Sequence, residues 1–540
     1  MPSMPRRALI KGTSLLLAAT ALSPAVFNRH AALAAETAAA SPQAGGTLIF
    51  LLAVQPPQLV PFSPDASRSI GPKVVEGLLR YDFDLTPRPA LATAWEVGSD
   101  GLTYTFHLRQ GVKWHDGKPF TAEDAAFSIQ LLKQIHPRGR ATFANVEATE
   151  TPDDHTLVLR LSRPAPYLLN ALVSSESPIV PKHVYAGTDA GTNPANNAPI
   201  GTGPFRFAEL VHGSHLILER NPDYWDAGKP YLDRLIFRFI SDPGACAIAI
   251  ETKEIDVASG TLVSLSDVER IKGFEHIVVD PRGSIFDAGV KRIEFNLDNE
   301  YFKDIRVRQA VAHAIDKTVV RDVVWYGFGE IVTGPISPDL APFRAAGLPT
   351  YDFNPAKAEA LLDDAGYPRD KNGVRFRVTH DFRPATEGDK RTADYVKQAL
   401  AKVGIEVTVR TQDFASYVKR VYTDRDFAFT TNSMTNTFDP TVGVQRLYWS
   451  KNFKPGVPFS NGAHYSNPEV DSLLEAAAVE VDTVRRKQLW TDIQTKVIND
   501  LPDLNLLSDF QFTFLNKRVV DAIIDAAGIS GDFASTWLQQ

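Results

Sequence analysis

Two stretches of this 540-residue chain carry side chains able to grip a charged small molecule. Arg383 follows a strand-like run through Val374, Phe376 and Val378, and the 432–439 segment follows another, 427–431. Between them, apolar spacing predicts a helix over 392–403, with Val396, Ala399, Leu400 and Val403 on one side. A strand through Ile405, Val407 and Val409 and a helix over 414–422 come next. Strand, helix, strand, helix, strand implies parallel pairing through right-handed crossovers. Parallel strands bring their carboxyl ends to one edge, where open α/β sheets bind ligands. Arg383 and the Asn432, Asn436, Phe438 and Asp439 side chains therefore belong to one rim. Phe438, Tyr448 and Trp449 are candidates for its wall, since flat rings cover varied surfaces at little rotamer cost, although roughly half of such rings are core. Read from its type alone, Arg383 is a surface or lobe-to-lobe ion pair.

Other chemistry-bearing residues have plainer explanations. His107, His115 and Asp116 sit on and beside a strand and turn and read as structural rather than as a metal or acid–base group. Arg138 and Arg140 read as a solvated loop, and Tyr224 and Trp225 as packing in the first lobe. His464 has no clustered partners to make a metal site. Gly201-Thr202-Gly203 is too short for a nucleotide loop, and no Gly-x-Ser-x-Gly, His-Glu-x-x-His or P-loop is present. An enzyme is not expected, and neither a metal nor a cofactor.

The elements that must position the rim are legible around it. At 94–128, Leu102, Tyr104, Phe106 and Leu108 alternate with polar residues as a strand, a Gly-bounded turn follows, and Thr121 with Asp124 opens a helix as a capping box. Asp304 caps a helix with Val307, Val311, Ala314 and Ile315 on one stripe; Asn354, Pro355 and Gly366 mark the start and stop of another. Charged residues make up 22% of the chain and the net charge is −7, which lends no support to nucleic-acid binding. A single cysteine, Cys246, excludes an internal disulfide and any cysteine-based zinc site. Arg6, Arg7 and Lys11 precede an apolar run over 15–27 and the small residues Ala32-Leu33-Ala34, which reads as an export signal over 1–34. The paired arginines are similar to a twin-arginine signal, with Pro5 and Leu9 departing from it. With no cysteine near the cleavage region, an unanchored periplasmic protein is expected, following a loose leader over 35–44.

Several phrases resemble the family 5 solute-binding proteins, the peptide- and nickel-class receptors of ABC importers. They are D-G-L-T-Y-T-F-H-L-R at 100–109, G-V-K-W-H-D-G at 111–117, P-F-T-A-E-D at 119–124, P-I-G-T-G-P-F at 199–205, R-N-P-D-Y-W-D at 220–226, F-K-D-I-R-V-R-Q-A-V at 302–311 and S-N-P-E-V-D at 466–471. The resemblance implies an α/β, two-lobed periplasmic binding protein (type II, cluster C) with an extra subdomain on the first lobe. Its first lobe would comprise 45–80, 200–285 and 505–540, its subdomain 81–199 and its second lobe 286–504. It implies a monomer that captures a peptide or peptide-like ligand between the lobes and delivers it to a membrane permease. An opine, oligosaccharide or metal chelate is the alternative cargo, and a secreted hydrolase a remoter one. From Arg383-Pro384 to Asp439-Pro440 the chain resembles dipeptide receptors, in which the matching arginine clamps the ligand carboxylate and an aspartate at the place of Asn436 holds its ammonium. An amide cannot offset that charge, so the expected ligand has an anionic end and no free amine there, unless Asp381 or Asp439 supplies the missing charge.

Overall fold

A computed structural model describes residues 41–62 and 67–540. The export signal, most of the leader and Pro64 lie outside the described residues. Two sheets dominate. In the first, the order is Ile277–Asp280, Thr513–Asn516, Val257–Ser259, Thr47–Leu52, Arg234–Phe239, His215–Arg220, Phe205–Val211. Thr47–Leu52 runs at its centre, parallel to both neighbours, and is buried on both faces because Leu48 and Phe50 enter one apolar cluster and Leu51 another.

The second sheet has the order Ile405–Arg410, Phe376–Phe382, Phe429–Thr435, Gly289–Phe295, Asp503–Ser508. Its first three strands are mutually parallel, as the alternating pattern predicts. Gly289–Phe295 is antiparallel to both neighbours, and Asp503–Ser508 closes the sheet. The Glu387–Lys402 helix between the first two strands starts at a Thr386–Asp389 capping box and buries Val396, Ala399 and Leu400 against the sheet.

The last segment of the first lobe was expected to begin at 505, and here the structure corrects the boundary. Asp503–Ser508 pairs with Gly289–Phe295 in the second sheet, and the chain crosses back only at 509–512. All six residues of that strand are buried, so the second core gains more by holding it than by releasing it. The other crossing is 281–288. The two are tied together: the Ser284 N–H donates to Gln511 Oε1 at 2.9 Å and the Asp509 N–H to the Gly289 carbonyl at 2.8 Å.

A smaller antiparallel sheet, Ala92–Val97, Thr103–Leu108, Thr156–Leu161, Val146–Asp153, projects from the first lobe. The Ala122–Ile135 helix packs on it, and the Thr121 N–H donates to Asp124 Oδ2 at 3.0 Å. One apolar cluster runs from this sheet through Tyr104 and Trp114 to Phe438 and Trp490 of the second lobe, so the lobes meet.

Candidate functional site

Arg383 stands at the carboxyl end of the Phe376–Phe382 strand, where its N–H donates to the Thr431 carbonyl of the neighbouring parallel strand at 2.9 Å. Its side chain is half-buried, with Nε enclosed and unbonded. The guanidinium carbon lies 6.0 Å from the Phe414 ring. Among the described residues no carboxylate pairs with it. The obvious candidate, Asp381, is fully buried and already holds Arg410 Nη2 at 2.6 Å, Gln412 Nε2 at 2.9 Å and Arg420 Nη1 at 3.5 Å. An enclosed donor left unpaired costs on the order of 1–3 kcal/mol. A carboxylate brought from outside removes that cost.

The remaining rim residues are brought together as the parallel strands require, but most are committed to the protein. Asn436 was expected to face the ligand; its Oδ1 instead accepts the Ser337 N–H at 2.6 Å, its Nδ2 donates to the Pro335 carbonyl at 3.1 Å, and it is 0% exposed. Both ends of the amide are used to hold a neighbouring loop. Asp439 is likewise turned inward: Arg486 meets it with Nη1 and Nη2 at 2.8 and 2.7 Å, and its Oδ1 caps a helix through the Thr441 N–H. Phe438 is core, packed near Phe286. Asn432 lies in a buried polar group, bonded to Glu294 Oε2 at 2.8 Å and to Arg292 Nε at 3.1 Å. Arg292 also pairs with Asp503, whose Oδ2 accepts the Tyr448 hydroxyl at 2.8 Å. Trp449 is half-buried and spends its N–H on Glu475 at 3.0 Å. Neither Asp381 nor Asp439 is free to receive a ligand ammonium.

Three residues that the sequence pattern did not single out lie near Arg383 in the second lobe. Phe414 is 47% exposed and lies 6.1 Å from Phe459, the rings inclined by 20°. Arg446 is half-buried and bonds only backbone carbonyls. Burial, with Arg292 and Arg138 next in effect, lowers its pKa to about 10. Phe414 could have been found from its place just beyond the Ile405–Arg410 strand; nothing local marks Arg446.

Arg138, expected in a solvated loop, is instead clamped on the buried Glu176 by Nε at 2.7 Å and Nη2 at 2.5 Å. Arg68 shares Glu176 at 2.7 Å and also pairs with Asp287 of the 281–288 crossing. His115 Nε2 donates to the Gly203 carbonyl at 3.0 Å while its Nδ1 accepts the Gly201 N–H at 3.2 Å, and burial lowers its pKa to about 4. Asp116 bonds His183 at 2.7 Å and His464 bonds Asp298 at 2.8 Å. Tyr224 and Trp225 both bond the buried Glu76. Among the described residues no group of three or more His, Cys, Asp or Glu is placed to hold a metal ion, and no described helix is long and apolar enough to cross a membrane.

Residues 86–456 match the family model described as bacterial extracellular solute-binding proteins, family 5. The chain is similar to the oligopeptide-binding protein AppA of Bacillus subtilis, 28% identical over 516 residues that cover 92% of each chain. The solved structure of B. subtilis AppA with a nonapeptide superposes with a TM-score of 0.78 at 26% identity, over 92% of this chain and 100% of that one. NikA from Brucella suis, solved with Fe(III)-EDTA, gives a TM-score of 0.80 at 26% identity over the same shares.

Proposed function

We propose, on the premise that this chain belongs to the bacterial extracellular solute-binding proteins of family 5, that its ligand is a peptide or peptide-like molecule whose anionic end is held by Arg383 at the seam of the two lobes. The family consists of receptors of ABC importers, not enzymes, so the chain is a solute-binding receptor that works with a membrane permease outside the cytoplasm. It acts there as a monomer without a lipid anchor, its export signal removed. A receptor of this kind closes its lobes on the ligand by motion at the crossings, here 281–288 and 509–512.

The observation that carries the ligand assignment is the partnerless Arg383 beside an Asp381 already saturated by two arginines and a glutamine. A free α-ammonium would find no uncommitted acid among the rim residues Asp381, Asn436 and Asp439, and an unpaired buried ammonium is costly. The peptide-bound relative supports a peptide-like body. The relative solved with Fe(III)-EDTA supports a wider class of carboxylate-bearing cargo, including chelates.

Mass spectrometry of material released from the purified protein tests this directly. A carboxylate-bearing molecule without a free α-amine is expected. Calorimetry with that molecule should show at least tenfold weaker binding to Arg383→Ala; unchanged affinity would remove the clamp.

A further inference from the structure

We propose that a cavity beside the edge strand of the second sheet is a separate binding site, for a small α-amino acid. It shares no residue with the rim around Arg383 and does not depend on that assignment.

The cavity follows from how the chain covers that edge. Asp503–Ser508 is the last strand of the sheet. Its outer side meets a bridge between Ile331 and Leu507, and the Val332 N–H donates to the Leu506 carbonyl at 3.2 Å. Beyond Val332 the loop leaves the strand, and Asp503, Leu504 and Asn505 face a cavity of about 120 Å³ whose other walls include Lys317, Tyr351 and Asp352. The Tyr351 wall is fixed by its hydroxyl, which donates to the Ile498 carbonyl at 3.0 Å, and by an edge contact with the His313 ring. An engineered cavity of about 150 Å³ admits benzene, so this one suits a molecule of about six non-hydrogen atoms.

The walls carry one charge of each sign and a free acceptor. Lys317 is half-buried, and its Nζ donates to the Val332 carbonyl at 3.0 Å. The other ammonium hydrogens have no protein acceptor. Asp352 is exposed, and its carboxylate accepts no hydrogen bond among the described residues. Burial lowers the Lys317 pKa to about 8 and the field of Asp352 opposes that shift, yet no ion pair joins the two. An ammonium taken out of water is costly unless an anion stands beside it. Asn505 is 2% exposed; its Nδ2 donates to Asp503 Oδ1 at 3.2 Å while its own Oδ1 has no donor. An enclosed acceptor without a donor is unfavourable for the same reason. A carboxylate would answer Lys317, and an ammonium would answer Asp352 and Asn505. An α-amino acid with a small side chain carries both groups within the space available, whereas an anion or a cation alone leaves one set of walls unmet.

Calorimetry on the whole protein tests this with L-alanine, with propionate and ethylamine, which carry one charge each, and with L-phenylalanine, which carries both charges but exceeds the cavity. The unmodified protein should bind L-alanine at least tenfold more tightly than any of the other three. Lys317→Met and Asp352→Asn should each weaken L-alanine at least fivefold, and Arg383→Ala should leave it unchanged. Asp352 is exposed and its side chain bonds nothing, so its variant keeps the test decisive where Lys317→Met fails to fold. Propionate, ethylamine or L-phenylalanine binding as well as L-alanine would overturn the site. So would L-alanine binding that either folded cavity variant leaves intact or that Arg383→Ala abolishes, and so would no binding of L-alanine at all.

Discussion

Arg486 grips Asp439 through two parallel bonds of 2.7 and 2.8 Å, with the carboxylate 0% and the arginine 6% exposed. The same arginine reaches Thr441 Oγ1 at 2.7 Å and the Ala477 carbonyl at 2.9 Å, tying the start of the 440–443 helix to the paired helices Pro468–Val479 and Thr483–Asp500. An aspartate that sequence pattern puts on the ligand rim is thus a structural anchor.

Asp439→Asn should therefore act on stability. Removing one member of a buried pair leaves its partner uncompensated, at a cost of about 3–5 kcal/mol. Urea denaturation should show a clearly lowered midpoint, with ligand affinity nearly unchanged in the folded fraction. A large loss of affinity at unchanged stability would return Asp439 to the binding site.

Arg383→Ala should do the reverse. The side chain has no ion-pair partner to lose, so stability should stay within about 0.5 kcal/mol, the range of substitutions away from structural features. Affinity for carboxylate ligands should drop at least tenfold. Thermal melting with and without ligand separates the two effects.

Asn436→Asp should not create an ammonium site. A carboxylate there would face the Pro335 carbonyl that now accepts the amide hydrogen, losing a bond and adding repulsion in a buried place. A destabilisation of about 1–3 kcal/mol is expected. A thermal-shift screen in which the variant gained affinity for free-amine dipeptides would contradict this reading.

Acid should weaken the fold partly through two enclosed histidines. Burial lowers the pKa of His136 and of His380 to about 3. A depressed folded-state pKa means a contribution that is complete above the unfolded value near 6.5 and is lost as pH falls toward 3. By pH 5 each should have given up about 2 kcal/mol. Glu76 works in the opposite sense: burial raises it to about 7, so its contribution is present below about 4.5 and lost as pH rises through 7. His380→Phe, which keeps a ring against Phe429, isolates one term. Its urea midpoint should change less between pH 7.5 and pH 5 than that of the parent; an unchanged pH difference would refute the assignment.

What the residues determine locally is the scaffold. Apolar spacing at Val378, Val396, Val407 and Phe429 dictates strands and helices, their alternation dictates parallel pairing, and parallel pairing places Arg383 at the ligand edge. Caps such as Asp304 and Asn354 act within a few residues and are visible for the same reason. Which polar side chains remain free at that edge was decided only by tertiary contact. Asp439 finds Arg486 47 residues on, Asn436 finds Ser337 99 residues back, and Arg292 finds Asp503 across 211. Burying a charge or an amide demands a partner wherever the folded chain can supply one, and no periodicity encodes that meeting. The same long-range pairing saturates Asp381 and leaves Arg383 without a counter-charge.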